Sequence, residues 1–474
     1  MIECKLINVK IIRGVYPVTK IIKFGGSSLA NGDQYQKVID IINADPKRQV
    51  IVVSAPGKRF DGDIKVTDLL IQYANETVAG KDSSKTLATI IERYQQIADQ
   101  FNVSADQFKQ IADTLTNLPN QKYPNNEYLL AAFKAHGEKL NAELMAMVLN
   151  QLGVESRFVD PSEAGITVSD DDPNAATVLP ETYENLGHFG YGKEKLVFPG
   201  FFGITKEGNI ATFARGGSDI TGSIIARGLN IPLYENFTDV SAIYAANPKI
   251  IDHPIAIKKM TYREMRELSY AGFSVFNDEA IIPAIEGKVT INVRNTNDPD
   301  APGTLIVPEG GFQAEHPITG VASSNHFAAL YLHRYLLNKE VGFTLKLLQI
   351  FYKYGISYEH MPSGIDDLTI IFDKNQLNQD KIKAMCNDIH DILHPDKLQW
   401  IDDYAIIMVV GEGMVDQTNA LSKSIDPLAA DNIKVNMINQ GASQISIMIG
   451  TRKSDANRAV VDIYNQFFNQ QEGE

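Results

Sequence analysis

The sequence predicts an α/β protein: a mostly parallel sheet covered on both faces by helices, followed by a smaller α+β region. Three observations carry this. Apolar, β-branched runs alternate with helical patterns from Lys20 to Asn236, as strands buried on both faces do. Two of those runs open into glycine loops, Gly25-Gly26-Ser27-Ser28 after Lys20 to Phe24 and Arg215-Gly216-Gly217-Ser218-Asp219 after Ile210 to Phe213, each with a helix behind it. Past Pro299 to Pro302, with Pro308, Gly310 and Gly311 close behind, the texture shifts to shorter strands and helices, which marks a boundary near residue 308.

Taking the elements in order, Met1 to Thr19 carry no legible motif. Ile21 and Ile22 suit a buried strand, Gly25 and Gly26 let backbone approach a ligand, and Ser27 or Ser28 can cap the next helix. N–H groups at that helix start face an anion, with Lys23 beside it. The spacing is not that of a Walker loop, and an ordinary strand-to-helix turn has the same look; the second glycine loop in the same context favours phosphate. A helix over Tyr35 to Ala44 and a strand over Gln49 to Ser54 complete a βαβ unit. The strand runs into Ala55-Pro56-Gly57-Lys58-Arg59-Phe60, and a helix begins near Thr67-Asp68 with Thr67 as its cap.

Ser84 to Leu149 reads as mostly helical, with Ala131 to Leu149 the longest amphipathic pattern. Gly137 inside it costs about 1 kcal/mol relative to alanine, so a neighbour must pack closely there. Strands follow at Ser156 to Asp160, Leu196 to Phe198 and Ile210 to Phe213, then a helix over Ile220 to Leu229 and a strand over Ile231 to Asn236. Beyond the boundary, Phe327 to Leu332, Ile356 to His360 and Asp367 to Phe372 read as strands, with helices over Gly342 to Gly355 and Gln376 to Ile392. A second set has strands at Tyr404 to Val410, Lys434 to Ile438 and Ile445 to Gly450, with helices over Gln417 to Ser424 and Ser454 to Phe468. Two βαββαβ units in tandem describe it.

Composition narrows the function. At 474 residues the chain has room for about three units. A net charge of −14 argues against nucleic acid and against anionic membrane as partners. No apolar run reaches a membrane span, and Lys5, Lys10 and Arg13 interrupt any signal-peptide core, so a cytoplasmic protein is expected. Cys4 and Cys386 lack metal-type spacing; both read as structural, and no protein metal site is expected.

In order, Lys23-Phe24-Gly25-Gly26-Ser27-Ser28, Val66-Thr67-Asp68, His136-Gly137-Glu138-Lys139-Leu140, Pro199-Gly200-Phe201, Arg215 to Asp219, Thr238-Asp239-Val240 and Asn295-Thr296 resemble the aspartate kinases of the amino acid kinase family. Asn436 to Ser443 resembles that family's second regulatory ACT domain. The resemblance implies a catalytic domain over residues 1–308, an ACT-like unit over 328–399, and a second over 316–327 and 400–474 into which the first is inserted, so that Thr319 to Ser323 pairs with the C-terminal set. It implies ATP-dependent phosphorylation of the L-aspartate side chain towards lysine, threonine and methionine, with Mg2+ carried by the nucleotide.

The acceptor carboxylate is already ionised, so such a protein mainly aligns two anions and offsets their repulsion. Lys23 fits the transferring phosphoryl group, helped by the amides of Gly25 and Gly26, by Ser28, and by the loop at Gly216 and Gly217. By resemblance Asp219 orients Lys23; alone, it reads equally as a carboxylate at a helix N-terminus. Arg215 can fork onto the α-carboxylate and Glu138 take the ammonium, with Ser54, Thr67 and Ser218 completing the aspartate site by resemblance. Without the family, Glu138 is a solvated helix charge and Thr67 a cap. Thr238, Asp239 and Tyr244 match the nucleotide segment. There the sequence departs from the family: Asn247-Pro248-Lys249 replaces Asp-Pro-Arg, and Ser274-Val275-Phe276-Asn277-Asp278 replaces Lys-Val-Leu-His-Pro. Ser274 stands where a nucleotide-contacting lysine is expected, and Lys249, Lys258 or Lys259 can compensate.

The stretch His360 to Asp367 reads as an effector loop using Met361, Ser363 and Asp366, or simply as a turn at Pro362-Ser363-Gly364. Lysine is the favoured effector and threonine the next; a homo-oligomer formed through the ACT units is expected. Two other readings stand beside the kinase: a nucleotide-deficient amino-acid-binding regulatory subunit, and a glutamate-type kinase of the same fold.

Overall fold

The computed structural model describes residues 19–214, 216–273 and 280–469. Arg215, the altered run from Ser274 to Asp278, Cys4 and the lead-in up to residue 18 lie outside them. The described residues divide into two units, 19–243 with 280–308, and 244–273 with 309–469. No helix among them is long and apolar enough to cross a membrane.

The first unit is built on strands β1 (Lys20–Phe24), β2 (Arg48–Val53), β3 (Ser156–Phe158), β4 (Lys195–Pro199), β5 (Phe202–Ile204), β6 (Ile210–Thr212) and β7 (Leu233–Thr238). Its helices are α1 (Gly32–Ala44), α2 (Val66–Val78), α3 (Ser84–Gln100), α4 (Ala105–Asn117), α5 (Asn126–Gln151), α6 (Glu181–His188) and α7 (Gly217–Gly228). Within this unit the main sheet runs Thr304–Val307, Thr290–Asn295, β7, β1, β2, β4, β3. All neighbours are parallel except the Thr304–Val307 strand. Ile21, Ile22, Val50 to Val53, Val197 and Phe237 are fully buried, as strands covered on both faces require. From β1 the order steps through β2 to β4 and β3 on one side and through β7 on the other. The strand order therefore reverses at β1 and β7, where open parallel sheets place their ligand crevice.

Several local expectations change. Asn31, not Ser27 or Ser28, caps α1, its side chain accepting from Gln34 N–H at 3.0 Å. Gly26–Leu29 forms a short 3-10 helix instead. Lys65 occupies the N-cap of α2 without a side-chain bond, so Thr67 stands in the first turn and caps nothing. Helix α5 is not amphipathic: buried residues such as Ala131 to Phe133 and Ala135 to Glu138 run round most of its circumference, because helices and sheet enclose it.

In the second unit, Gly320–Ser324, Ala405–Val410, Ser446–Thr451 and Met437–Gln440 form one antiparallel sheet in that order. Asp367–Asp373, Phe327–His333 and Lys397–Ile401 form another. Helices Phe343–Lys353 and Gln379–Leu393 contribute to the core of the three-stranded sheet. Helices Ala420–Ala430 and Ala456–Phe468 follow the strands of the four-stranded one. Ile356 to His360 is not a strand. The chain meets its neighbour slightly later and only by single bridges, His360 to Ile371 and Ser363 to Leu368, since Pro362 and Gly364 interrupt the ladder. Lys397–Ile401, a strand half exposed along its length, was not legible in the sequence.

Candidate active site

The site is assembled where β1, β2 and β7 end together. Register places Lys23 beside Val52 of β2 and Asn236 of β7. The Lys23 side chain is 8% exposed, and its Nζ meets Asp219 Oδ1 at 2.6 Å. Asn236 donates to the same oxygen at 2.8 Å. Asp219 stands in the first turn of α7, whose N-cap Gly216 has φ 76°, a left-handed conformation that favours glycine. Gly216 also gives its carbonyl to the N–H groups of Asp219 and Ile220. The two glycine loops, far apart in sequence, are thus joined by one ion pair.

Close packing of backbone shapes the floor. Gly57 donates its N–H to Gly26 O at 2.8 Å. A Cβ on Gly57 would lie 2.6 Å from Gly26 C and O, and one on Gly26 2.9 Å from Ala55 O. Neither position tolerates a side chain. The Gly25 N–H donates to Phe237 O at 3.1 Å, so it ties β1 to β7 and does not face an anion as expected. The Ser28 hydroxyl is likewise engaged, with Thr296 Oγ1 at 2.6 Å, which holds the 3-10 turn to the end of the Thr290–Asn295 strand.

Glu138 faces this floor from α5. It is 5% exposed; its carboxylate accepts the Ala55 N–H, and its Oε2 has no partner among the described residues. Burial lifts its pKa to about 8, although the amides of Ala55 and Glu138 and the charges of Lys134 and Lys23 pull it down. Gly137 explains itself here: a Cβ would sit 2.9 Å from Ala55 Cβ and 3.1 Å from Leu70 Cδ1. One turn on, Asn141 donates to Ser54 O at 2.6 Å and accepts from the Tyr35 hydroxyl. His136 is buried against Ala132 O and its pKa is lowered to about 4, which makes it a neutral packing residue.

Ser218 is packed under Gly200, where a Cβ would meet its Oγ at 2.5 Å, and Gly200 N–H is bound to Val53 O. Thr238 donates to Asp239 Oδ1 at 3.1 Å. Tyr244 and Lys249 lie in the second unit, as do Met361, Ser363 and Asp366. In the loop at 363–367, Asp366 Oδ1 accepts Leu336 N–H at 2.8 Å, so that carboxylate already has a backbone partner. Sequence reading missed Asn236, Asn141 and Ala55. Asn236, next to Glu235 in a strand of mixed polarity, had no signal of its own; Asn141 stands three residues beyond Glu138 on the same helix face.

Comparisons with known proteins agree with this arrangement. The Amino acid kinase family profile matches residues 19–295, and an ACT domain profile matches residues 407–467. Aspartokinase 3 of Bacillus subtilis (strain 168) is 43% identical over 95% of this chain and 98% of its own. The aspartate kinase of Clostridium acetobutylicum superposes with a TM-score of 0.82 at 35% identity, over 94% of this chain and 99% of that one. Aspartokinase III of E. coli, solved with aspartate and ADP, shares the fold with a TM-score of 0.73 at 20% identity, covering 95% and 100%.

Proposed function

Because the chain belongs to the amino acid kinase family, and within it to the aspartokinases, we propose that this crevice transfers the γ-phosphoryl group of Mg-ATP to the side-chain carboxylate of L-aspartate. The observation that carries the reading is the Lys23–Asp219 pair, which brings a buried ammonium to the point where both glycine loops meet. The acceptor carboxylate attacks the γ-phosphorus as the bond to ADP breaks, and no proton has to move. Lys23 and the amides of Gly26 and Ser27 offset the charge gathering on the phosphoryl oxygens. Asp219, itself steadied by Asn236, keeps Lys23 aimed.

For the substrate, Glu138 takes the ammonium and Arg215 the α-carboxylate, with Ser54, Thr67 and Ser218 around them. The nucleotide is assigned to Gly216, Gly217, Thr238, Asp239, Tyr244 and Lys249, and its Mg2+ arrives with it. The catalytic domain is assigned to residues 1–308 and the two ACT-like units to 328–399 and to 316–327 with 400–474. The protein is assigned to the cytoplasm.

Regulation is assigned to the loop with Met361, Ser363 and Asp366, with lysine as effector and threonine next. Its ammonium group would share Asp366 with Leu336 N–H. Tyr335, Leu336, Val341, Leu345 and Ile365 are large apolar side chains left exposed in the same ACT-like unit, and Asn338 N–H bonds Ile365 O. They support pairing of two copies through this unit. The test is hydroxamate formation from L-aspartate, Mg-ATP and hydroxylamine, with L-glutamate as control and lysine and threonine added separately. Aspartyl hydroxamate formed only with aspartate is the expected result; none with either amino acid rejects the reading.

A further inference from the structure

Arg93, on α3, is 3% exposed, and its polar contacts go to the loop joining β2 to α2. Nη2 donates to Gly57 O at 2.5 Å, and Nη1 donates to Ile64 O at 2.9 Å while standing 3.1 Å from Asp63 Oδ2. Asp63 closes the far half of the loop on itself: Arg59 gives it its backbone N–H and Nε, both at 2.9 Å, and Nη2 at 3.1 Å. The near half of the loop is the floor of the site. Gly57 bonds Gly26, and Ala55 bonds Glu138. Arg93 therefore grips, through one glycine carbonyl, the short backbone stretch that touches both the phosphate loop and the ammonium-binding carboxylate.

We propose that Arg93 is a positioning residue for phosphoryl transfer, fixing residues 55–57 so that the Gly26 loop and Glu138 keep their spacing. The proposal rests on the aspartate kinase reading. Its chemical logic is that two substrates aligned for in-line attack lose about a hundredfold in rate when one is displaced by about 1 Å. A guanidinium can hold two carbonyls and a carboxylate at once because its donors are fixed in a plane; an ammonium on a flexible stem keeps the charge and loses the span. Arg93 itself touches neither substrate loop directly; it acts through Gly57.

The experiment compares Arg93→Lys with Asp63→Asn in the full chain, measuring melting temperature, kcat, and KM for aspartate and ATP. Arg93→Lys should stay folded at the assay temperature and lose about tenfold or more in kcat, with both KM values within about threefold. Asp63→Asn removes the charge that pairs with Arg59 and Arg93 but spares the grip on Gly57, so it should lower the melting temperature while kcat stays within about threefold. A purely structural role predicts lowered melting temperatures and unchanged kcat in both. Near-wild-type kcat in folded Arg93→Lys, or a loss confined to KM, would overturn the proposal.

Wild-type protein supplies a second measurement that needs no variant. Hydrogen exchange at the Ala55 and Gly57 amides without substrates should be as slow as in α3, and exchange within seconds would also overturn it. Wild-type protein that makes no aspartyl hydroxamate fails the underlying reading instead, so the two failures are distinguishable.

Discussion

An ammonium almost wholly removed from water needs a fixed anion, and for Lys23 that anion is Asp219. Lys23→Ala should lower kcat by about a thousandfold, with the fold retained because Asn236 still donates to Asp219. A folded Lys23→Ala protein with near-wild-type turnover refutes its role. Glu138 makes a sharper case. Its folded pKa, about 8, is raised above the ordinary carboxyl value of 4.5, so native protein holds the extra proton between those values. Its contribution to stability is therefore fully present below about pH 4.5 and is lost as pH rises towards 8. Glu138→Gln should melt higher than wild type, with the gap widening over that range, while KM for aspartate rises tenfold or more. The reverse trend in the melting curves contradicts the burial argument. Lys23 was legible from the glycine loop that follows it, whereas Asp219 and Glu138 took their roles from the family resemblance, since alone they read as a helix N-terminal carboxylate and a solvated helix charge. Asn236 and Asn141 were not legible, since their meaning lies in Asp219 and Ser54, partners distant in the chain.

Elements were readable wherever burial followed a local period, and less so where it followed enclosure. Helix α5 looked one-sided in sequence and is surrounded in the fold; short Lys397–Ile401 has too little apolar contrast to announce itself. Least visible was the charge inside the main sheet. Glu235 on β7 is 1% exposed and is held by Arg48 of β2 at 2.7 Å and Arg294 of the Thr290–Asn295 strand at 2.9 Å. Burial pushes its pKa up, yet the Arg48 bond and the surrounding cations win and hold it below the usual range. Removing one partner of such a group leaves the others uncompensated. Glu235→Ala should therefore lose about 3–5 kcal/mol of stability, read as a lower urea midpoint. A loss below about 1 kcal/mol would show that water already screens the cluster.

At the scale of the whole molecule, the sequence boundary near residue 308 is only half of the division. Residues 244–273, which carry Tyr244 and Lys249, group with the second unit. The bonds are specific: Val321 N–H to Ala245 O at 2.8 Å, Ile255 N–H to the Tyr464 hydroxyl at 2.9 Å, and Glu264 Oε1 accepting from Thr319 Oγ1 at 2.5 Å and Glu412 N–H at 2.8 Å. Tyr270 donates to Glu359 at 2.8 Å, next to the stretch assigned to the effector. An effector that shifted this stretch would pull on Tyr270 through that bond. Tyr270→Phe should keep its uninhibited rate within about twofold and need about tenfold more lysine for half inhibition. An unchanged inhibition curve removes Tyr270 from the route.

The pairing of Gly320–Ser324 with Ala405–Val410, Ser324 opposite Ile406, brings the two cut ends of the three-stranded unit side by side. That unit is threaded into the chain like a bead on a closed loop, and the thread can be tied off beneath it. Replacing residues 326–404 with an Asn-Gly turn would make these neighbouring strands a hairpin and leave the four-stranded sheet with every strand it has. The shortened chain should still form aspartyl hydroxamate and should ignore lysine. Sensing and catalysis would then be separable by one excision, and a lineage could shed or exchange its sensor without rebuilding the enzyme that carries it.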